Sequence, residues 1–260
     1  MYPIDLTGKT AIIFGVANHR SIAWDIAKIL DEAGAEIILS YQNERIFNSV
    51  ESLSKTLNQP STLVECDVSE DSKIENAIKQ MVSASKSGNI DIIVHSIAFA
   101  DKDDLGGPFV DVSKNGFITA LTISAYSLIS IARYGSKYMA NGGSIISMTY
   151  QASTRVFPGY NVMGTAKAAL ENEIKQIASD LGGLNIRVNA ISAGPLDTLS
   201  SRVISGYRDM KNIHKEKSPL KRNITTEEVS KTALFLLSDL SSGITGEIIH
   251  VDTGYNIMGI

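Results

Sequence analysis

Two tyrosines and one lysine lie close together in the second half of this 260-residue chain, at Tyr150, Tyr160 and Lys167. A phenol can hydrogen-bond an oxygen on which negative charge develops, and a nearby ammonium adds positive charge at the same place. In an α-helix a spacing of seven residues is close to two turns, so Tyr160 and Lys167 would project from one side. The same spacing also fits an amphipathic helix with one core tyrosine and one exposed lysine. The rest of the sequence favours chemistry at these residues.

The hydrophobic pattern predicts the scaffold that positions them. Apolar runs of strand length recur along the chain, and most are continuous, as in strands buried on both faces of a parallel sheet. Segments with helical periodicity lie between them. This alternation predicts one α/β domain over residues 1–260, a Rossmann-like, doubly wound parallel sheet of about seven strands with helices on both faces. The predicted strands are Thr10–Phe14, Glu36–Ser40, Leu63–Cys66, Ile90–His95, Ser144–Met148, Ile186–Ile191 and Ile248–Val251, and the predicted helices are Ser21–Ala33, Asp71–Lys86, Asn115–Met139, Tyr160–Leu181 and Thr226–Ser238.

A glycine turn follows the first predicted strand. Gly15 permits a sharp turn, and the amides at the start of the next helix can hold a pyrophosphate. The full G-x-G-x-x-G pattern is absent, since Ser21 and Ala23 occupy the later small-residue positions. Ser21 is predicted both to cap the helix and to donate to phosphate. Taken alone, Gly15 fits an ordinary strand-ending turn equally well.

Charge and cysteine content argue against several classes of protein. The formal net charge is −4, so neither nucleic acid nor an anionic membrane is an expected partner. The single cysteine, Cys66, cannot form an internal disulfide, which suits a reducing cytoplasm, and we expect a structural thiol. No signal peptide and no apolar run of bilayer-spanning length is found, so we expect a cytoplasmic protein without a membrane partner. The four histidines lack metal-ligand spacing, so no metal is expected, and His95 is predicted to be structural.

Four motifs occur together and in order along the chain. They are Gly15-x5-Ser21-Ile22-Ala23, Ser96-Ile-Ala-Phe-Ala100, Tyr150-x9-Tyr160-Asn-Val-Met-Gly-x-x-Lys167 and Asn189-Ala-Ile-Ser-Ala-Gly-Pro195. This set closely resembles the bacterial NAD(P)H-dependent enoyl-(acyl-carrier-protein) reductases, a divergent branch of the short-chain dehydrogenase/reductase superfamily. The resemblance covers nearly the whole chain, through Ser238–Glu247 and His250-Val-Asp.

The resemblance implies hydride transfer from the nicotinamide to C3 of a trans-2-enoyl thioester on acyl carrier protein, in fatty-acid elongation. Tyr160 would hydrogen-bond the thioester oxygen, Lys167 would bind the nicotinamide ribose, and Tyr150 would help to position the substrate. The resemblance also implies a homotetramer that associates through Asn115–Met139, and a substrate lid over residues 198–217. The further substrate contacts that it implies are Phe99, Ala100, Met163, Ile204 and Tyr207, although core packing would explain Met163 almost as well.

The implied cofactor contacts follow the carboxyl ends of the strands. They are Gly15, Ser21 and Ile22 at the pyrophosphate, Asp67 and Val68 at the adenine, Ser96, Ile97 and Ala98 at the adenosine ribose and nicotinamide half, and Leu196, Asp197, Thr198, Leu199 and Ser200 at the carboxamide. Asp67 could equally cap the helix near Asp71. Gln42 and Asn43 are neutral where NADPH-preferring relatives carry basic residues, so we predict NADH as the preferred cofactor, although Arg45 could reach a 2′-phosphate.

Two other functions stay open at this point. A short-chain ketoreductase would pair Tyr160 with Ser147, thirteen residues earlier, but its lysine would fall at position 164, which is glycine. A cofactor-sensing binding protein without turnover is the second alternative, and such proteins commonly lack the tyrosine or the lysine. The chain also departs from the family, with Asp197 where arginine is usual and Gln151-Ala152 where Leu-Gly is usual. A basic cluster around the lid could steer an acidic carrier protein, and a solvated helix face explains it as well: Arg202, Arg208, Lys211, Lys215 and Lys217.

Overall fold

The computed structural model describes residues 4–198, 201 and 206–259. Seven parallel strands form one sheet in the order β3-β2-β1-β4-β5-β6-β7, which confirms the predicted doubly wound fold. The strands are β1 (Thr10–Phe14), β2 (Glu36–Tyr41), β3 (Thr62–Glu65), β4 (Ile92–His95), β5 (Gly143–Thr149), β6 (Ile186–Ala193) and β7 (Ile248–Val251). The predicted strands match them to within two residues at each end.

Helices cover both faces of this sheet. They are α1 (Ile22–Glu32), α2 (Glu44–Ser54), α3 (Asp71–Ala84), α4 (Lys114–Leu121), α5 (Ser127–Gly135), α6 (Val162–Leu181), α7 (Tyr207–Lys217) and α8 (Thr226–Leu237). The sequence did not predict α2 and α7. Both are short, and each buries very few side chains, Val50 and Ser54 in α2 and His214 in α7.

Alternate residues of the central strand point into two separate cores. Ala11 and Ile13 of β1 pack with α1 and α8 on one face, while Ile12 and Phe14 pack with α3, α5 and α6 on the other. Side chains of a strand point alternately to its two faces, so a strand covered on both sides must be apolar throughout. This is why these strands appear in the sequence as continuous apolar runs.

The strand order reverses at β1, which pairs with β2 on one side and β4 on the other. The chain therefore leaves the carboxyl ends of β1 and β4 in opposite directions and opens a crevice between them. The segments that follow β5 and β6 reach the same edge of the sheet, because these strands are parallel to β4. The crevice lies where the sequence placed the candidate residues.

The predicted helix over Asn115–Met139 consists of several pieces. A π-helical turn, Thr122–Tyr126, separates α4 from α5, and a 3-10 turn ends the segment at Ser136–Tyr138. By length and composition, Lys114–Tyr138 is apolar enough to cross a membrane, contrary to our expectation, and half of its most apolar window is buried in the fold. Its contacts with α3 and α6 account for the buried part of that apolar character.

Candidate active site

A cavity of about 620 Å³ opens at the carboxyl edge of the sheet. Its walls come from the segments after β1, β4, β5 and β6 and from helices α6 and α7. Most of the residues that the sequence predicted as a site meet in it. They are Gly15, Ser21, Ile22, Ser96, Ile97, Ala98, Phe99, Ala100, Tyr150, Tyr160, Met163, Lys167, Leu196, Thr198 and Tyr207.

The turn after β1 requires glycine. Gly15 has a φ of +106°, and a Cβ atom built on it would lie 2.1 Å from the carbonyl oxygen of Ser96. The two backbone segments can therefore approach only if position 15 has no side chain. Gly15 is thus more than an ordinary strand-ending turn, since it closes the crevice between β1 and β4.

Ser21 occupies the N-cap position of α1, but its hydroxyl does not cap the helix as predicted. It accepts hydrogen bonds from the amides of Ala17 and Asn18 instead, at 3.1 and 3.2 Å. These two hydrogen bonds stabilise the turn that precedes α1. The first amides of the helix, those of Ile22 and Ala23, have no intrahelical acceptor and suit an anion such as a pyrophosphate.

Tyr160 lies just outside α6, so the prediction that it shares a helix with Lys167 is wrong. Asn161 stands between Tyr160 and the helix with a φ of +37°, a conformation that L-residues rarely adopt. The Asn161 amide group donates to the carbonyls of Gly106 and Gly107, which contributes to holding that conformation. The turn nevertheless brings Tyr160 and Lys167 to the same cavity.

The two tyrosines of the motif face each other. Their ring centroids are 5.1 Å apart, and the Tyr150 hydroxyl lies 3.3 Å from the sulfur of Met210. Burial raises the pKa of Tyr160 above the usual value of a phenol, and Tyr207 adds to that shift. Burial likewise raises the pKa of Tyr150. Both phenols are therefore protonated near neutral pH and act as hydrogen-bond donors.

Lys167 carries a buried ammonium, with only 4% of the residue exposed. Its Nζ donates to the carbonyl oxygen of Met148 at 2.8 Å, which ties α6 to the end of β5. Burial lowers the pKa of Lys167 to about 8, while the charge of Glu171 opposes that shift. The amine is thus mostly protonated at neutral pH, and two of its three hydrogens remain available to a ligand.

Ser147 is fully buried and is not among the residues that line the cavity. Its hydroxyl lies 2.8 Å from Nδ1 of His95, whose Nε2 lies 2.8 Å from the hydroxyl of Ser127. Ser127 donates its own proton to the carbonyl of Ile123, so it accepts from Nε2 of His95. Nδ1 of His95 is then the acceptor, and Ser147 donates to it. This confirms His95 as a structural residue and leaves Ser147 without a role in a ketoreductase.

Gly164, where a ketoreductase would carry its lysine, packs closely against the segment after β5. A Cβ atom at Gly164 would lie 2.9 Å from the carbonyl oxygen of Ala152. A lysine side chain would therefore begin in contact with backbone. The position that the ketoreductase pattern needs has no room for it.

Helix α7 docks through three residues on one face, and two of them, Tyr207 and Met210, line the cavity. Tyr207 donates its hydroxyl hydrogen to the carbonyl of Leu196, Met210 contacts Tyr150, and Lys211 pairs with Asp197 at 2.6 Å. The predicted lid over residues 198–217 therefore contains a helix docked on the ends of β5 and β6. Four residues predicted within or beside it lie outside the described residues: Leu199, Ser200, Arg202 and Ile204.

Four of the predicted cofactor residues do not line the cavity. Gln42 follows β2 and is exposed, and Val68 is buried in the core. The Asp67 carboxylate accepts from the amide and hydroxyl of Ser69, at 3.0 and 2.8 Å, and does not cap α3, whose N-cap is Glu70. Asp197 points outward to Lys211. It stays a prediction that Gln42, Asp67 and Val68 contact the adenine end of a cofactor.

Sequence reasoning missed several residues of the site. The Ser124 hydroxyl bonds both the amide and the carbonyl of Phe99, at 2.9 Å each, and so holds the segment after β4. Met210 could have been found from the helical spacing Tyr207, Met210, Lys211, had α7 been recognised. Ala193, Gly194 and Pro195 lie in the fourth motif and Ser201 in the predicted lid, but none of them was assigned to the site. The remaining residues carried no signal, since backbone atoms or neighbours in space define their position: Ala17, Lys102, Leu105, Met148 and Thr149.

The described residues hold no group of three or more His, Cys, Asp or Glu side chains that could bind a metal ion. Cys66 is buried in the core, and burial raises the pKa of its thiol to about 12. A thiol of that kind is inert at neutral pH. The polar groups that the described residues bring to the cavity include tyrosine hydroxyls, the lysine ammonium and the backbone of the turn at Gly15.

Comparison with known proteins gives a consistent result. The family model described as enoyl-(acyl carrier protein) reductase matches residues 15–256. The NADH enoyl-(acyl-carrier-protein) reductase of Bacillus cereus is 49% identical over 98% of this chain and 99% of its own length. The NADPH enzyme of Staphylococcus aureus is 48% identical over 97% of this chain and 98% of its own length. The crystal structure of the Bacillus cereus reductase with NADP+ and indole naphthyridinone superposes with a TM-score of 0.96, at 47% identity, over 99% of this chain and all of that one. This chain belongs to the enoyl-(acyl-carrier-protein) reductase family.

Proposed function

We propose that this protein reduces the C2–C3 double bond of trans-2-enoyl thioesters on acyl carrier protein, with NADH as the reductant. One observation carries the proposal: the Tyr160 hydroxyl and the Lys167 ammonium meet in one cavity with the glycine turn of Gly15. Membership of the enoyl-reductase family supports the same reaction. A cofactor-sensing protein without turnover fits less well, because both reactive side chains are present and accessible from the cavity.

The residues present suit a dinucleotide. A Cβ at Gly15 would collide with the backbone of Ser96, so the turn after β1 requires glycine. The first amides of α1 suit a pyrophosphate. The ammonium of Lys167 would donate to the hydroxyls of the nicotinamide ribose, which orients the cofactor. When bound, the dihydronicotinamide supplies the hydride that the protein itself lacks.

Tyr160 would act on the thioester. Hydride addition at C3 moves negative charge onto the thioester oxygen, and a neutral phenol can donate a hydrogen bond to that oxygen. Because burial raises the pKa of Tyr160, the hydroxyl keeps its proton until the charge develops. The ammonium of Lys167 adds positive potential in the same cavity, and C2 takes up a proton from solvent, which completes the reduction.

Replacing Tyr160 with phenylalanine tests this role. The variant should lower turnover of a crotonyl thioester by about 100-fold or more, the usual cost of one oxyanion donor. Lys167→Arg should cost less, since arginine keeps a cationic contact. Tyr134→Phe is the matched control, because Tyr134 lies on α5 beside Lys137 and outside the cavity. Equal and negligible losses in Tyr160→Phe and Tyr134→Phe, or faster reduction of an acetoacetyl than of a crotonyl thioester, would refute the assignment.

We propose NADH as the preferred cofactor because no basic pair follows β2. Asn43 caps α2 by accepting from the amide of Arg45 at 3.1 Å, and the Arg45 side chain is exposed. The relatives differ in the cofactor that their names give, NADH in Bacillus cereus and NADPH in Staphylococcus aureus. Steady-state kinetics with both cofactors decide the point, and Arg45→Gln is expected to weaken any residual use of NADPH. A clear preference for NADPH contradicts the proposal.

The proposed carrier surface and assembly rest on exposed residues. Arg208 is exposed on α7, and Lys211 beside it is partly buried in its ion pair with Asp197. These cations could attract an acidic carrier protein, so activity on carrier-linked substrates should fall as salt rises. Phe117, Ile118 and Tyr126 leave more than a third of their surface exposed along α4 and the π-turn. Such apolar side chains support self-association through this segment, and we propose the homotetramer and the cytoplasmic location that the sequence analysis predicts. A monomer by light scattering would contradict the tetramer.

A further inference from the structure

No ion pair among the described residues balances the charge of the buried Lys167 ammonium. It donates to the Met148 carbonyl, and among the described residues no ion pair includes it. The surrounding titratable groups supply no negative charge, since Tyr150, Tyr160 and Tyr207 have raised pKa values. Burial lowers the pKa of His95 to about 3, so this residue is neutral, and Lys102 at the cavity is a second cation. A buried cation needs compensation from somewhere nearby.

Glu171 lies one helical turn beyond Lys167 on α6, and its carboxylate acts on the charge of Lys167. In a helix, residues four apart lie on the same face. Oε1 of Glu171 accepts a hydrogen bond from the Thr149 hydroxyl at 2.7 Å. Met148 and Thr149 are consecutive at the end of β5, where pairing with Ile191 and Ser192 of β6 holds them in place. The strand end therefore anchors the lysine through one residue and the glutamate through the next.

We propose that Glu171 is a positioning residue that, anchored by Thr149, supplies the countercharge of the Lys167 ammonium and keeps it in place for the cofactor. This inference rests on the proposed function only in assuming that Lys167 binds the nicotinamide ribose. Glu171 is not among the residues that line the cavity, so it acts through Lys167. Its charge favours the protonated lysine and opposes the effect of burial.

The test measures the dissociation constant of NADH by fluorescence between pH 6.5 and 9 in wild type and Glu171→Gln. Glutamine keeps an acceptor for Thr149 but removes the charge. In Glu171→Gln, we expect the pH above which NADH binding weakens to fall by roughly half a unit. A direct ion pair with Lys167 would give a larger shift. With a Lys167 pKa of about 8, the smaller shift leaves the dissociation constant nearly unchanged at pH 6.5. It raises the constant about threefold at pH 8.5.

Three further variants complete the test. Thr149→Val frees the carboxylate without removing it and should shift the profile in the same direction, by less. In a Lys167→Arg background the cation cannot titrate, so Glu171→Gln should leave the pH profile unchanged. Asp180→Asn, a carboxylate near the far end of α6, is the matched control and should match wild type.

An unchanged pH profile in both Glu171→Gln and Thr149→Val would overturn the inference. So would a shift of the same size in the Lys167→Arg background, because that shift could not arise at the lysine. Thr149→Val keeps the inference testable even if Glu171→Gln fails to fold. Failure of the proposed function would appear differently, as wild-type protein that binds NADH but does not reduce an enoyl thioester.

Discussion

Replacing Gly15 with alanine tests the close approach on which the nucleotide turn depends. A methyl group at this position would lie 2.1 Å from the carbonyl oxygen of Ser96 and 2.7 Å from its carbonyl carbon. Both atoms belong to the backbone, so no side-chain rotation relieves the contact. The turn after β1 and the segment after β4 would have to separate, and both form walls of the cavity.

Two costs add in the Gly15→Ala variant. A left-handed backbone conformation costs an L-residue about 1–2 kcal/mol, and forcing an extra carbon into a packed site costs about 1–3 kcal/mol more. The free energy of unfolding should therefore fall by about 2–5 kcal/mol. In a protein of this size each kcal/mol lowers Tm by about 2–4 °C, so we expect Tm to fall by about 4–20 °C.

Gly88→Ala is the matched control, because Gly88 has a φ of +67° and a methyl group at this position would have no other atom within 4 Å. The free energy of unfolding of Gly88→Ala should fall by the backbone contribution alone, about 1–2 kcal/mol. Thermal denaturation of both variants at one protomer concentration gives the difference, and NADH fluorescence gives the dissociation constant. Gly15→Ala should also weaken NADH binding, whereas Gly88→Ala should not. Equal Tm values for the two variants, or unchanged NADH binding in Gly15→Ala, would refute this account of the turn.

Three other predictions concern residues around the site. Ser147→Ala should keep enoyl reduction within about twofold of wild type but lower the free energy of unfolding by about 1–3 kcal/mol, because Nδ1 of His95 loses its donor. A large loss of turnover would revive the ketoreductase alternative. The pKa of His95 is lowered to about 3 by burial, below its value in the unfolded chain, so its stabilising contribution is full above pH 6.5 and is lost as pH falls. In urea denaturation between pH 6.5 and 5, the free energy of unfolding should fall by about 1.4 kcal/mol per pH unit because of this residue. His95→Asn should abolish that dependence. Equal slopes of unfolding free energy against pH in wild type and His95→Asn would contradict the prediction. Asp197→Asn should release Lys211 and lower KM for carrier-linked crotonate at low salt without changing KM for an uncharged crotonyl thioester. Equal changes with both substrates would count against that reasoning.

Much of the fold could be predicted from the sequence, because its main determinant is local and periodic. A strand covered on both faces must be apolar at every position, so β1, β4 and β5 appear directly as continuous runs. The motifs around Tyr160, Lys167 and Gly15 are also contiguous in the chain, and they indicated the family. Helices α2 and α7 escaped prediction because each is only 11 residues long and mostly polar, and its few apolar residues pack only after the sheet has formed.

The sequence by itself determined which side chains could react and the sheet on which they would meet. Tertiary structure decided how they are oriented. Tyr160 lies outside α6 because carbonyls some 55 residues earlier hold Asn161 in a strained turn, and Ser147 faces His95 because the pairing of β4 with β5 places them side by side. Glu171 faces Thr149 for the same kind of reason. Such orientations depend on contacts between residues far apart in the chain, and spacing within one segment carries no information about them.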